Sequence, residues 1–117
     1  MTNVFDVQAE YPEGRPARYA RGVVQIGPLV GGSLLGATVY ELPPGVSVCP
    51  YHYEYGREEW LLVLAGRPTV RTPEGEREVA PGDTVCFPEG PGGAHKVTNT
   101  SEETKSALSM LGTLVRP

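Results

Sequence analysis

An all-β fold, closed into a barrel or sandwich, is what this sequence predicts, and three observations carry the prediction. The 15 glycines and 12 prolines follow no G-X-Y period and fall between short apolar runs instead of forming one block, which is the texture of a turn-rich β protein and not of disorder. Those runs recur at regular spacing, each bounded by turn residues. Strands at this turn density need closure, because a flat exposed edge invites pairing with other chains. At 117 residues the chain has room for a single core and no second one.

Residues 1–20 are polar and interrupted by Tyr11-Pro12-Glu13-Gly14, which suits an N-terminal arm, and the barrel domain is expected over 21–117. Val23, Val24 and Ile26, then Leu34 to Leu42, then Val46 to His52 read as strands separated by Gly-Pro, Gly-Gly and Pro-Pro-Gly breaks. Glu59 to Leu64 is an apolar strand that ends near Gly66. Thr69 to Arg71 pairs with Glu76 to Val79 across Thr72-Pro73-Glu74-Gly75, and Pro81-Gly82-Asp83 turns the chain into Thr84 to Phe87. At the end, Ala107, Met110, Leu111 and Leu114 have helical spacing, but the strands before them favour a last strand over Lys105 to Leu111. No internal repeat is visible.

Composition also excludes functions. Net charge is -4 with the acids scattered, so no basic surface exists to follow a phosphate backbone, and no nucleic-acid partner is expected. The longest apolar stretch, Trp60 to Ala65, is far below the ~20 residues of a membrane span. Met1 to Glu10 has two acids and no basic residue ahead of an apolar core, unlike a secretory signal, so the expected compartment is the cytoplasm. Cys49 and Cys86 form no CxxC pair and are expected to be buried thiols.

The chemistry concentrates around the only two histidines, His52 and His95. On a strand, His52 and Glu54 project from one face. The Tyr55-Gly56-Arg57 bend returns the chain so that Glu59 opens the next strand alongside. Three ligand-type side chains could thus converge from one hairpin. Gly82 to Asn99 reads as a turn, a strand and a Gly-rich loop leading to His95 on a new strand, from which a fourth ligand could come. Glu58 points opposite to Glu59, and Tyr51, Tyr53 and Tyr55 alternate away from His52, so they pack outside or against a second subunit. Gly90 to Gly93 precede a strand with no GK[ST] after them, so they suit a loop closing the barrel mouth better than a phosphate cradle.

These two stretches resemble the paired motifs of the cupin superfamily. His52 takes the place of the first histidine and Glu54 that of the second. Glu59 follows after four residues and Gly66 after six more, while Gly82, Pro88, Gly90, His95 and Asn99 fall on the second motif. The resemblance covers roughly Leu34 to Leu111 and implies a double-stranded β-helix (jelly-roll-like) barrel. It further implies one divalent metal ion, such as Mn, Fe, Zn or Ni, held by His52, Glu54, Glu59 and His95. The sequence departs from the pattern in three places: Glu54 replaces a histidine, Gly45 lies one residue too far from His52, and the loop before His95 has two extra residues. With Glu54 as ligand, two imidazoles and two carboxylates would form a formally neutral site that favours harder ions such as Mn or Fe. Without it, two histidines and one carboxylate leave open positions suited to non-heme Fe(II).

Two functions follow. One is a metal-dependent enzyme of dioxygenase, isomerase or decarboxylase type acting on a small organic molecule. The alternative is a non-catalytic binding or sensor module for a small-molecule ligand. They are separated by a general acid or base in the cavity beyond the ligands, for which the sequence offers only Glu54. A purely structural role would leave inward carboxylates uncompensated, which is costly. The Tyr-rich face and the arm suggest a homodimer.

Overall fold

The structure is a computed structural model in which residues 1–114 are described; the last three residues of the expected domain fall outside that range. In chain order the strands are β1 (Gly22–Gln25), β2 (Leu35–Leu42), β3 (Glu59–Ala65), β4 (Thr69–Thr72), β5 (Gly75–Glu78), β6 (Thr84–Phe87), β7 (Lys96–Thr98) and β8 (Ser106–Thr113), with one helical turn, α1 (Gly27–Val30), after β1. They form two antiparallel sheets, β1-β2-β8-β3-β6 and β5-β4-β7. Two such sheets are the arrangement that the motif resemblance implies. No helix among the described residues is long and apolar enough to cross a membrane.

The period of two decides which residues meet in the core. Along β3, Glu59, Leu61 and Val63 are buried while Trp60 is exposed. Leu61 lies opposite Met110 and Val63 opposite Leu108 in the β3–β8 register, so these four share the inner face. They meet Val70 of β4 and Val97 of β7 from the smaller sheet in one core with Leu42 and Phe87. Each fully buried side chain of this size contributes roughly 1.5–3 kcal/mol. The site occupies the end of this layer where the inward row of β3 starts with a carboxylate, Glu59, instead of an aliphatic residue.

Several sequence expectations hold. The β4–β5 hairpin closes on Thr72 opposite Gly75, and the C-terminal segment is a strand, as the preceding run of strands argued against its helical spacing. One expectation fails. Val46 to His52 is not a strand but an irregular segment held by two isolated bridges, Ser47 to Thr98 and His52 to His95. Five residue steps on this segment therefore face three on the other side, so the backbone must bulge between the bridges. Pro50, which has no N–H to donate, lies within that bulge. The hairpin expected to bring His52 to Glu59 is accordingly an irregular loop. The break after Ile26 also contains more than a turn: Pro28 sits in the first turn of α1, which Gly31 ends with φ 75°. In the expected arm, Glu10 exchanges backbone hydrogen bonds with Val23, and the Arg18 carbonyl accepts one from Ser47.

Asn99 is fully buried. Its side-chain amide donates to the carbonyls of Leu42 and Thr104, and its backbone N–H donates to Val46. It thereby ties the end of β2, the start of the His52 segment and the exit of β7 together. These bonds lie at the end of the barrel away from Glu59, where Leu42 pairs with Ser106.

Candidate metal centre

His52, Glu59 and His95 converge, each offering a donor atom within 4.8 Å of the others. The convergence begins in the backbone. His52 N–H donates to the His95 carbonyl at 3.2 Å and His95 N–H donates to that of His52 at 2.9 Å, which sets the two rings 4.9 Å apart between centroids. The two extra residues before His95 do not carry it away. They are taken up in a 3-10 turn over Pro91–Gly93, pressed so closely on the preceding chain that a Cβ at Gly93 would lie 1.7 Å from the Pro88 oxygen. Gly90 N–H donates to the Glu54 carbonyl at 2.8 Å, so this loop borders the site from the His52 side as well.

Both imidazoles are oriented by the same device. Nδ1 of His52 lies 2.8 Å from the Pro50 carbonyl, and Nδ1 of His95 lies 2.8 Å from that of Gly93. A carbonyl oxygen only accepts, so Nδ1 carries the proton in each ring and Nε2 of the neutral ring keeps a free lone pair. A carbonyl bonded to the remote nitrogen is the usual support of a metal-binding histidine. His95 Nε2 is 3.8 Å from Glu59 Oε1, and His52 Nε2 is 4.0 Å from Glu54 Oε1. These spacings leave room for an ion between donors that do not bond each other.

Electrostatics point the same way. Burial raises the Glu59 carboxyl above its ordinary pKa, the Glu54 charge raises it further, and Arg57 opposes both. Burial pushes the His95 imidazole below its ordinary value, against the pull of the Gly93 carbonyl. A divalent ion would favour the ionised form of the buried carboxylate, and the neutral imidazole that burial favours is the form that binds metal. The residues present therefore fit a metal.

The other residues singled out by the sequence lie around this group. Glu54 lies outside the set of mutually close donors but lines the same cavity, of about 190 Å³. Glu58 is exposed on the outer face, where it accepts a hydrogen bond from Trp60 Nε1 at 3.0 Å. Tyr51, Tyr53 and Tyr55 are exposed outside the site; Tyr51 lies under the Arg71 guanidinium and Tyr53 meets Tyr55 edge to face. Only one thiol expectation is close: Cys49 is half-buried at the cavity, whereas Cys86 is exposed.

Two cavity residues escaped the sequence reading. Arg57, read as part of a bend, places its guanidinium 3.8 Å from Glu54 Oε2 and 3.7 Å from Glu59 Oε2. No local pattern marks it, because a bend gives the direction of a side chain no period. Tyr40 lies two residues before the core residue Leu42 on β2, a spacing that alone puts it on the inner face, and its ring reaches the cavity under the Arg21 guanidinium.

Comparison with known proteins agrees with this fold. The family described as the cupin domain matches residues 38–111, the stretch that contains every residue of the site. A sugar phosphate isomerase of the cupin superfamily from Silicibacter pomeroyi superposes with a TM-score of 0.84 at 22% identity, over 98% of this chain and 76% of that one. A putative sugar phosphate isomerase from Acidithiobacillus ferrooxidans gives 0.76 at 28% identity, over 83% and 61%. A polyketide cyclase from Streptomyces resistomycificus gives 0.75 at 24%, over 100% and 82%. The curated proteins contain no match. With both motifs converging on one point inside a double-stranded β-helix, the chain belongs to the cupin family.

Proposed function

We propose that this protein is a metal-dependent enzyme that moves a proton on a small organic molecule, an isomerase-type reaction. One divalent ion would be held by His52, Glu59 and His95. The observation that carries the reading is the pair of imidazoles whose Nδ1 atoms are committed to carbonyls, leaving both Nε2 atoms beside a buried carboxylate. A bound ion would supply Lewis acidity toward a substrate oxygen, with Mn or Fe favoured by the carboxylate donor and Zn or Ni as competitors.

Proton transfer needs groups beyond the ligands, and the cavity supplies two. Glu54, beside the three donors, can take a proton from substrate carbon and return it. Tyr40, whose hydroxyl pKa is raised mainly by burial while Arg21 opposes the shift, stays protonated at neutral pH and can donate a hydrogen bond to a substrate oxygen. Neither role needs a redox partner. A putative sugar phosphate isomerase at 28% identity supports this class above the oxidative ones. The binding-module reading keeps metal and ligand but gives Glu54 and Tyr40 no task.

A homodimer is part of the proposal. Trp60 is half exposed and lies opposite Leu111 and Cys86 on the outer face of the larger sheet, an apolar strip that a second copy would cover. The two free cysteines accord with a reducing, cytoplasmic compartment.

Proton exchange in D2O tests the function across a range of candidate substrates at once. With metal-loaded protein and a panel of small hydroxy-carbonyl compounds, at least one should exchange its α-proton by NMR, and Glu54→Gln should abolish exchange. Exchange no faster than with metal-free protein across the panel would contradict the proposal.

A further inference from the structure

The geometry points to Arg57 as the subsite for a carboxylate group of the substrate, which makes the substrate of the proposed metal enzyme a small organic acid. This rests on the metal reading but goes beyond it, since nothing in the motif spacing marks a cation in the cavity.

Three observations carry the inference. First, Arg57 is inside the site and its Nε donor is uncommitted. Its two acidic neighbours lie at 3.8 and 3.7 Å, beyond good hydrogen-bond distance, and Nε is a buried donor with no partner among the described residues, as is the facing Glu54 Oε2 as an acceptor. A guanidinium offers a planar fork of N–H groups that matches a carboxylate two bonds at a time. Second, the fold makes space for this side chain at one place. On β8, directly opposite Glu59 in the β3 register, stands Gly112, where a Cβ would come within 2.9 Å of Arg57 Nε. Any larger residue would force the guanidinium out of its present position.

Third, the charges do not close without an anion. Glu59 and Glu54 together match the two positive charges of a divalent ion, and Arg57 adds one more. With these groups alone the occupied site keeps a net positive formal charge, whether Glu54 ligates the ion or stands beside it, and the Arg21 guanidinium over the cavity-lining Tyr40 ring adds to it. In a partly enclosed cavity an unbalanced positive charge is costly, and an anionic group of the substrate offsets it, a carboxylate being the group assigned to the Arg57 fork. The cavity, of about 190 Å³, is small, which suits a short hydroxy- or oxo-acid.

The test is ligand binding to Mn(II)-loaded protein by calorimetry, after Mn(II) uptake has been measured separately on every variant. The probes are glycolate, its neutral isostere glycolamide, and inorganic phosphate. Wild type should bind glycolate more tightly than glycolamide or phosphate. Arg57→Gln should weaken glycolate by at least about tenfold with glycolamide unchanged, and Arg57→Lys should fall between, because a point charge keeps attraction but loses the fork. Mn(II) uptake should survive in both variants. Uptake with equal glycolate affinity in wild type and Arg57→Gln would overturn the Arg57 subsite and leave the metal reading standing. A preference for phosphate over glycolate would overturn the carboxylate assignment. No Mn(II) uptake by wild type would remove both readings.

Discussion

His52 and His95 face each other across one backbone bridge and make the same bond from Nδ1 to a carbonyl, yet their surroundings differ. His95 is 5% exposed, and its ring stacks on Phe87 at 3.8 Å with the planes 8° apart. It rides into β7 from a loop whose glycine cannot be replaced without a clash. The His52 side chain is 34% exposed and belongs to the irregular segment between two isolated bridges. One wall of the site is thus part of the core, and the other is held mainly by the first. The asymmetry gives the candidate metal site a rigid half that fixes position and a looser half that would adjust to an ion, to Glu54 and to the proposed substrate.

The largest expected effect separates the two histidines. His95→Ala should lower Mn(II) affinity by at least ~100-fold, the upper end of what even an indirect support of a ligand is worth. His52→Ala should cost roughly tenfold, because water can enter the open side and take the vacated position. The measurement is the rise in melting temperature with added metal, which follows affinity for the folded chain by mass action. Equal losses would erase the distinction between the walls.

A smaller effect concerns the carboxylate set between them. Because the Glu59 pKa is raised above its ordinary 4.5, folding favours its protonated form. Below pH 4.5 the folded and unfolded chains both hold the proton and there is no penalty. As pH rises through the higher folded value, wild type ionises a buried group and loses stability that Glu59→Gln retains. The metal-free variant should therefore melt a few degrees higher than metal-free wild type at pH 7, with the gap closing toward pH 4. A gap that widens on acidification would reverse the sign of the argument.

The smallest effect should come from the looser half. Glu54→His restores the residue that the cupin motif has at this position. With Glu54 acting on protons beside a three-residue site, competition between Mn and Ni should change little while turnover is lost. A clear shift toward Ni would make Glu54 a ligand, since imidazole is the softer donor.

How much of this was legible in the sequence follows the same division. The rigid half was readable: apolar alternation and turn residues located β3, β6 and β8, and motif spacing named Glu59 and His95, together with His52 and Glu54 from the other half, although only His52, Glu59 and His95 form the mutually close group. The looser half was not. Val46 to His52 has the composition of a strand, and only its register against β7, a long-range property, shows that it bulges. The loop at Gly90 to Gly93 has two residues more than the motif, and whether these displace His95 depends on a contact with Pro88 that no local pattern encodes. Arg57 was hidden for a similar reason. In a bend, side-chain direction has no period to read it from, whereas the strand position of Tyr40 could have been inferred from Leu42 two residues on.

The claim on which everything else depends is that His52, Glu59 and His95 hold one divalent ion. Elemental analysis of protein purified without a metal-capturing tag, then incubated with Mn, Fe, Zn or Ni and desalted, tests it directly. The account predicts about one ion per chain for wild type, as a single set of ligands allows, and little or none for Glu59→Ala that has been shown to remain folded. Wild type without metal under every condition, or a Glu59→Ala variant carrying the same amount, would contradict it.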